Sequence, residues 1–360
     1  MKSNFEYRKE TLEAVIGQPS NVTNSREAAE QLLVALGGTA EPVQTRNVKM
    51  CSAMTASADS TKIVVPNGLK LSKSSFYEIP DIFDFSQVTD WSYMFSGNIW
   101  LGTNTPVTTL DLSNAINTRA MFQGCTNFGY NNGQFSSVNY YLPNTTSCDS
   151  MFMNCSNLKN VSLLVTDKCY NFYATFNGCK KLETAIITTN NINNSNESIT
   201  FYETFRECIN LKQYSIDTTR SSSITRMFYN CRSLTEIVGL ITTNCKEFTN
   251  AFSGCTNVVT IETIDLSNSW NSLTDMFYNC SALENVIFTG SINYGFNFKQ
   301  STLLTYDSIK SVLTACSNTT NTSAKILTLN NTITDVNGEL AELISVCNTK
   351  GWTISGLTIN

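Results

Sequence analysis

The chain has 360 residues, with 24 basic and 29 acidic side chains, a formal charge of −5 and no histidine. The missing imidazole excludes His-based catalytic triads, His metal ligands and the usual general base near neutral pH. No block of Lys or Arg answers a nucleic-acid backbone, and no run reaches the roughly 20 apolar residues that a membrane helix needs.

The opening "MKSNFEYRKETLEAVIGQ" is charged and lacks the apolar core of a secretory signal. The expectation is synthesis in a cytoplasm and release by another route, such as lysis. "NSREAAEQLLVALGG" (24–38) predicts a short helix capped by Ser25 and ended at Gly37. "TAEPVQTRNVKMCSAM" has no clear period. "KIVVPNGLKL" (62–71), with a turn signal between two β-rich runs, predicts a hairpin. Residues 1–80 are then an N-terminal region, either a cap alone or an anchor that also docks into a larger particle. The second is favoured, because one solenoid end needs only part of 80 residues to cover it.

From residue 81 to 290 a phrase repeats, as in "TDMFYNCSALENV" (274–286). Its Phe recurs at Phe95, Phe122, Phe152, Phe176, Phe205, Phe228, Phe252 and Phe277, at intervals of 23 to 30 residues. Three residues on comes Cys125, Cys155, Cys179, Cys208, Cys231, Cys255 or Cys280, with Asn98 in the first unit. Three further on lies an apolar residue, Phe128, Leu158, Leu182, Leu211, Leu234, Val258 or Leu283. Four before the Phe lies Trp91, Cys148, Phe172, Phe201, Ile224, Phe248 or Leu273, with Thr118 as the exception. This spacing predicts one face of a short helix. Val161, Ile237, Ile261 and Val286 then open alternating segments, read as short strands. Such a unit cannot bury its apolar face alone, so neighbours must stack into a solenoid.

The repeated M-F-x-x-C-x-x-L phrase, with "TLDLSN" (109–114) and "TIDLSN" (263–268), resembles the BspA-like class of leucine-rich repeats over roughly residues 85–290. The resemblance implies an α/β solenoid, a right-handed coil of short helix plus short strand with about eight repeats. It also implies an adhesive or binding surface and no catalytic residue.

Residues 291–360 predict a C-terminal cap of two helix–strand units. Ile309, Val312, Leu313 and Cys316 have helical spacing, followed by "KILTL" (325–329). Leu340, Ile344 and Cys347 repeat it, followed by "WTISGL" (352–357). The ending "NTKGWTI" is similar to those of leucine-rich-repeat proteins encoded by phages and prophages of gut bacteria.

Thirteen cysteines invite a metal or disulfide reading, but no CxxC pair exists and the motif cysteines are spaced one per coil. A small buried thiol between coils is the favoured reading, ahead of disulfides and of metal. Met94, Met121, Met151, Met227 and Met276 are likewise read as packing. Sequons such as those at Asn154 and Asn279 are expected by chance in a chain rich in Asn, Ser and Thr. Asp111, Asp217 and Asp265 occupy corresponding sites in different coils, which suits turns better than paired-carboxylate hydrolysis. Insertions at 129–144 and 188–199 are the expected functional features. Tyr130, Tyr140 and Tyr141 are candidates to stack on a sugar or pack on a protein, with packing on their own scaffold equally open.

The expectation is a non-enzymatic phage virion protein with no cofactor. Residues 1–80 would dock on other virion proteins, and the solenoid would serve decoration or attachment to a host-surface glycan or protein, in several copies per particle. The alternatives are a bacterial cell-surface adhesin of the BspA-like class and, far behind, a carboxylate-based glycan hydrolase.

Overall fold

The computed structural model describes residues 55–56, 63–72, 79, 83–102, 110–131, 133–166, 168–190, 198–270, 273, 275–320 and 323–360. The helix expected at 24–38 lies outside these.

Each repeat is one coil of a solenoid. The neighbouring coils contribute parallel strands β1 (Ser137–Leu142), β2 (Asn160–Thr166), β3 (Thr184–Asn190) and β4 (Gln213–Ser215), which lie side by side in that order. A second parallel sheet joins β5 (Glu236–Ile237), β6 (Thr260–Asp265) and β7 (Asn285–Thr289). Alternation in β2 buries Val161, Leu163 and Val165 and turns their neighbours outward.

The helix expected in each repeat is replaced by a string of tight turns; among the described residues no α-helix precedes Tyr306. Two residues before each Phe, the backbone is left-handed at Tyr93, Ala120, Ser150, Ala174, Glu203, Arg226, Asn250 and Asp275. Two residues after it the same holds at Gly97, Gly124, Asn154, Gly178, Glu207, Asn230, Gly254 and Asn279. A right-handed helix cannot pass through such residues. Alternate amides close three-residue turns, as Cys125 N–H does on Phe122 O at 3.0 Å. The amides between them cross to the next coil, as Phe122 N–H does to Met151 O at 2.9 Å. The apolar spacing of three is therefore met by consecutive turns, because stacking coils satisfies backbone groups that a lone helix would have kept to itself. Asn154 and Asn279 fill left-handed positions, which gives those residues a backbone role.

The Phe rings form one column. Successive rings from Phe95 to Phe277 lie 5.6–6.2 Å apart and within 20° of parallel. The column extends beyond the expected units. Phe298 stacks on Phe277 at 4.7 Å. At the other end Leu71 takes the Phe position: its N–H bonds Met94 O at 2.8 Å, and its carbonyl accepts the Asn98 amide at 2.9 Å. Residues 62–71 are correspondingly not a hairpin. Ile63–Val64 pairs in parallel with Phe83–Asp84 and antiparallel with Thr55–Ala56, and the chain after Gly68 enters the first coil.

Much of the Asn and Thr stitches coils together. Asn144, Asn244 and Asn268 donate side-chain amides to Ser113 O, Thr219 O and Thr243 O at 2.7–2.9 Å. Buried Thr145, Thr175 and Thr204 donate to Ala115 O, Cys148 O and Phe172 O at 2.9–3.0 Å. Each satisfies a carbonyl inside the stack.

The C-terminal units match the expected pattern. Helix α1 (Tyr306–Ala315) buries Ile309, Val312 and Leu313 and leads to β9 (Lys325–Ile333), which also pairs with the short β8 (Phe296–Asn297). Helix α2 (Glu339–Thr349) leads to β10 (Trp352–Ile359), parallel to β9.

Candidate binding site on the turn face

The motif cysteines line the interior. Each thiol donates to the Phe carbonyl of the preceding coil, from Cys125 on Phe95 O to Cys280 on Phe252 O, at 3.0–3.1 Å in all seven. Burial pushes these thiols well above their ordinary range, Cys255 to about 12. A thiol held neutral in this way is a poor nucleophile and a poor metal ligand. Among the described residues no group of three or more Cys, Asp or Glu is placed to hold a metal ion. Cys148 and Cys169 approach to 3.8 Å as free thiols. The five motif-flanking methionines are buried.

The three tyrosines separate. Tyr140 is not a surface residue: it points inward from β1, is 3% exposed, and stacks near Phe122 and Phe152 at 6.0 and 6.4 Å. Alternation along β1 decides this, so its neighbour Tyr141 faces outward and is exposed. Tyr130 belongs to a small antiparallel ribbon, Tyr130–Asn131 against Gln134–Phe135, and packs on Phe135 at 5.0 Å. Lys181 Nζ lies over both rings at 5.6 and 5.3 Å. The structure does not bring Tyr130 and Tyr141 together with Tyr140 into one site. Asp111, Asp217 and Asp265 each accept the N–H two residues on, at 2.8–2.9 Å, and so close their own turns.

The strongest surface constellation lies on the outside of the turns. Directly after the buried Phe172 and Phe201, Tyr173 is exposed and Tyr202 half-buried on the outer side of their coils. Tyr173 and Tyr202, on adjacent coils, stack at 5.3 Å and 11°. Beside them the Glu203 carboxylate is buried. Its Oε1 accepts Arg206 Nη1 and Arg226 Nη1, each at 3.1 Å, and its Oε2 accepts the Asn177 amide at 3.1 Å. Arg226 also donates to the Tyr202 hydroxyl at 3.3 Å, and Arg206 lies over the Tyr229 ring at 5.4 Å. The bond to Glu203 raises the Arg226 pKa further. Desolvation, then the nearby Glu203 charge, raises that of Tyr173. Two coils away Arg119 pairs with Asp149 at 3.2 Å and reaches over Tyr93 at 5.9 Å.

Sequence reading passed over this face. The signal was present in Tyr173 and Tyr202, each three residues before a Phe, but only stacked coils make neighbours of residues 29 apart in sequence. Stacked Tyr rings beside Arg side chains paired to a buried carboxylate have the composition of protein-binding hot spots.

The fold and this face define a repeat solenoid with a prepared surface, the architecture of a binding or adhesion module. A family model described as "Mycoplasma protein of unknown function, DUF285" matches residues 68–195 and 146–263. The two matches together span more than half of the chain, and the protein belongs to this family, which is compatible with BspA-like repeat proteins. No curated protein and no solved structure matches it.

Proposed function

We propose that the protein is a non-enzymatic binding module that presents the Tyr173–Tyr202–Arg226 face to a partner protein. One observation carries this reading: aromatic rings and guanidinium groups are fixed in place around the buried Glu203 before any partner arrives. Preorganisation lowers the entropy lost on binding. Copies on a shared particle would multiply weak contacts.

The carrier we propose is a phage virion, with residues 1–80 docking on other virion proteins and the solenoid directed at a host-surface protein or glycan. The similarity of "NTKGWTI" to endings of phage-encoded repeat proteins supports it. Mass spectrometry of purified particles tests it: the chain is expected in stoichiometric amount, and its absence from particles would overturn the virion reading. The bacterial family name favours a second reading, a cell-surface adhesin. Surface labelling of intact producing cells separates the two, because only the adhesin is displayed before lysis.

A further inference from the structure

The insertion that follows Phe128 lays an aromatic pair beside lysines of the next two coils. Tyr130 and Phe135, on the two arms of the antiparallel ribbon, pack at 5.0 Å. Lys159 Nζ, from the coil anchored by Phe152, lies 5.2 Å from the Phe135 ring centre. Lys181 Nζ, from the coil anchored by Phe176, lies 5.3 Å from Phe135 and 5.6 Å from Tyr130. Such contacts hold ammonium groups in place without neutralising them. A third lysine joins from the following coil, because Lys159 and Lys212 share the Glu183 carboxylate at 3.3 and 3.1 Å.

Charge does not balance in this cluster. Three ammonium groups meet one carboxylate, and Lys181 has no carboxylate partner among the described residues. The patch is thus cationic on a chain of formal charge −5. It is also open to solvent: Phe135, Lys181 and Lys212 are exposed, and Lys159 and Glu183 are half-buried. Beside it the sheet presents uncharged polar groups. Ser137, Asn160 and Thr184 open β1, β2 and β3, stand abreast in register, and lie on the outward side of the alternation.

We propose that this patch binds an anionic polysaccharide with carboxylates spaced along its sugars, a polyuronate in chemical class. Three observations select that occupant. The lysines come from three successive coils, which a parallel sheet spaces about 4.8 Å apart, and this suits single charges along a chain better than one multiply charged group. Both sides of β2 and of β3 are already paired within the sheet, so the middle of the patch offers no strand edge to the backbone of an acidic peptide. What it does offer is hydroxyl and amide side chains for sugar hydroxyls and the exposed Phe135 ring for the C–H face of a pyranose. None of these residues belongs to the Tyr173–Tyr202–Arg226 face, and the inference stands apart from the reading of that face.

Isothermal titration calorimetry of the full chain with polygalacturonate tests it. Binding is expected, weakening as salt is raised, and the same polymer with its carboxylates methyl-esterified should not bind. Lys181→Gln combined with Lys212→Gln is expected to lower the affinity about tenfold, and Phe135→Ala about threefold, with unchanged circular dichroism. No binding by the wild type, equal binding of the esterified polymer, tighter binding of poly-glutamate, or indifference to all three substitutions would overturn the proposal.

Discussion

The Cys255 thiol donates to the Phe228 carbonyl of the preceding coil at 3.0 Å, while that same carbonyl accepts the Cys231 amide of its own coil at 3.0 Å. One carbonyl thus closes a turn and ties two coils together, and the arrangement recurs along the stack. The cysteine is required as a small donor at this point. Where the first unit departs from Cys, a donor remains at the equivalent carbonyl: Asn98 bonds Leu71 O. Cys255→Ala is expected to cost about 1–3 kcal/mol, from the lost bond and the small void. Urea melts of this variant beside Cys255→Ser separate the two contributions.

The raised thiol pKa values bear on alkaline stability. The folded state keeps these groups protonated, whereas in the unfolded chain they ionise near their ordinary value. The unfolded state therefore binds fewer protons above that value, so stability is full below about pH 8.5 and falls as pH rises beyond it. Seven such thiols acting together should unfold the protein at roughly pH 10. A thermal melting point that stays flat between pH 8 and pH 10.5 would contradict this. At neutral pH, a thiol-reactive dye should label few of the motif cysteines until denaturant is added.

Phe228 lies between Phe205 and Phe252 in the ring column, at 5.6 and 6.2 Å. Phe228→Ala removes a fully buried ring and is expected to destabilise by about 3–5 kcal/mol in a denaturant melt. Contacts in a solenoid are made between neighbours, so the loss should appear first as enhanced exchange in the coils on either side.

Gly254 has φ of +79°, and a Cβ there would meet Asn230 Oδ1 at 2.1 Å. Gly254→Ala should cost about 1–2 kcal/mol from the left-handed backbone and the displaced amide. Gly239, with similar φ but open space, should tolerate Ala better. Equal melting points for the two variants would remove the clash from the account.

On the turn face, Glu203→Gln keeps the shape but removes the charge that holds Arg206 and Arg226. A loss of about 1–3 kcal/mol in stability is expected. Tyr173→Ala is expected to leave the melting point nearly unchanged and to reduce partner capture by the immobilised protein about tenfold. Undiminished capture by Tyr173→Ala would move the binding surface elsewhere.

The repeat and its core are written in the sequence because a residue that must fill the same place in every coil recurs at a fixed offset. Phe, Cys and Leu announce the solenoid, and the spacing of Ile309, Val312 and Leu313 announces α1. Local conformation is less legible. Three-residue spacing fits a helix as well as a run of turns, and the left-handed residues that decide between them include Ala120, Ala174 and Arg226, which carry no turn signal. The coils anchored by Leu71 and Phe298 escape the pattern because the first lacks the Phe and the second has Ser301 in place of Cys.

By itself the sequence determined that the chain must stack on itself, which residues line the interior, and that no imidazole chemistry is available. Only the tertiary structure decided what the surface presents. Stacking turns residues 23 to 30 positions apart into neighbours, and so creates the Tyr173–Tyr202 pair and buries Tyr140 beside exposed Tyr141. These relations lie between coils, where sequence periodicity fixes the spacing but not the neighbour.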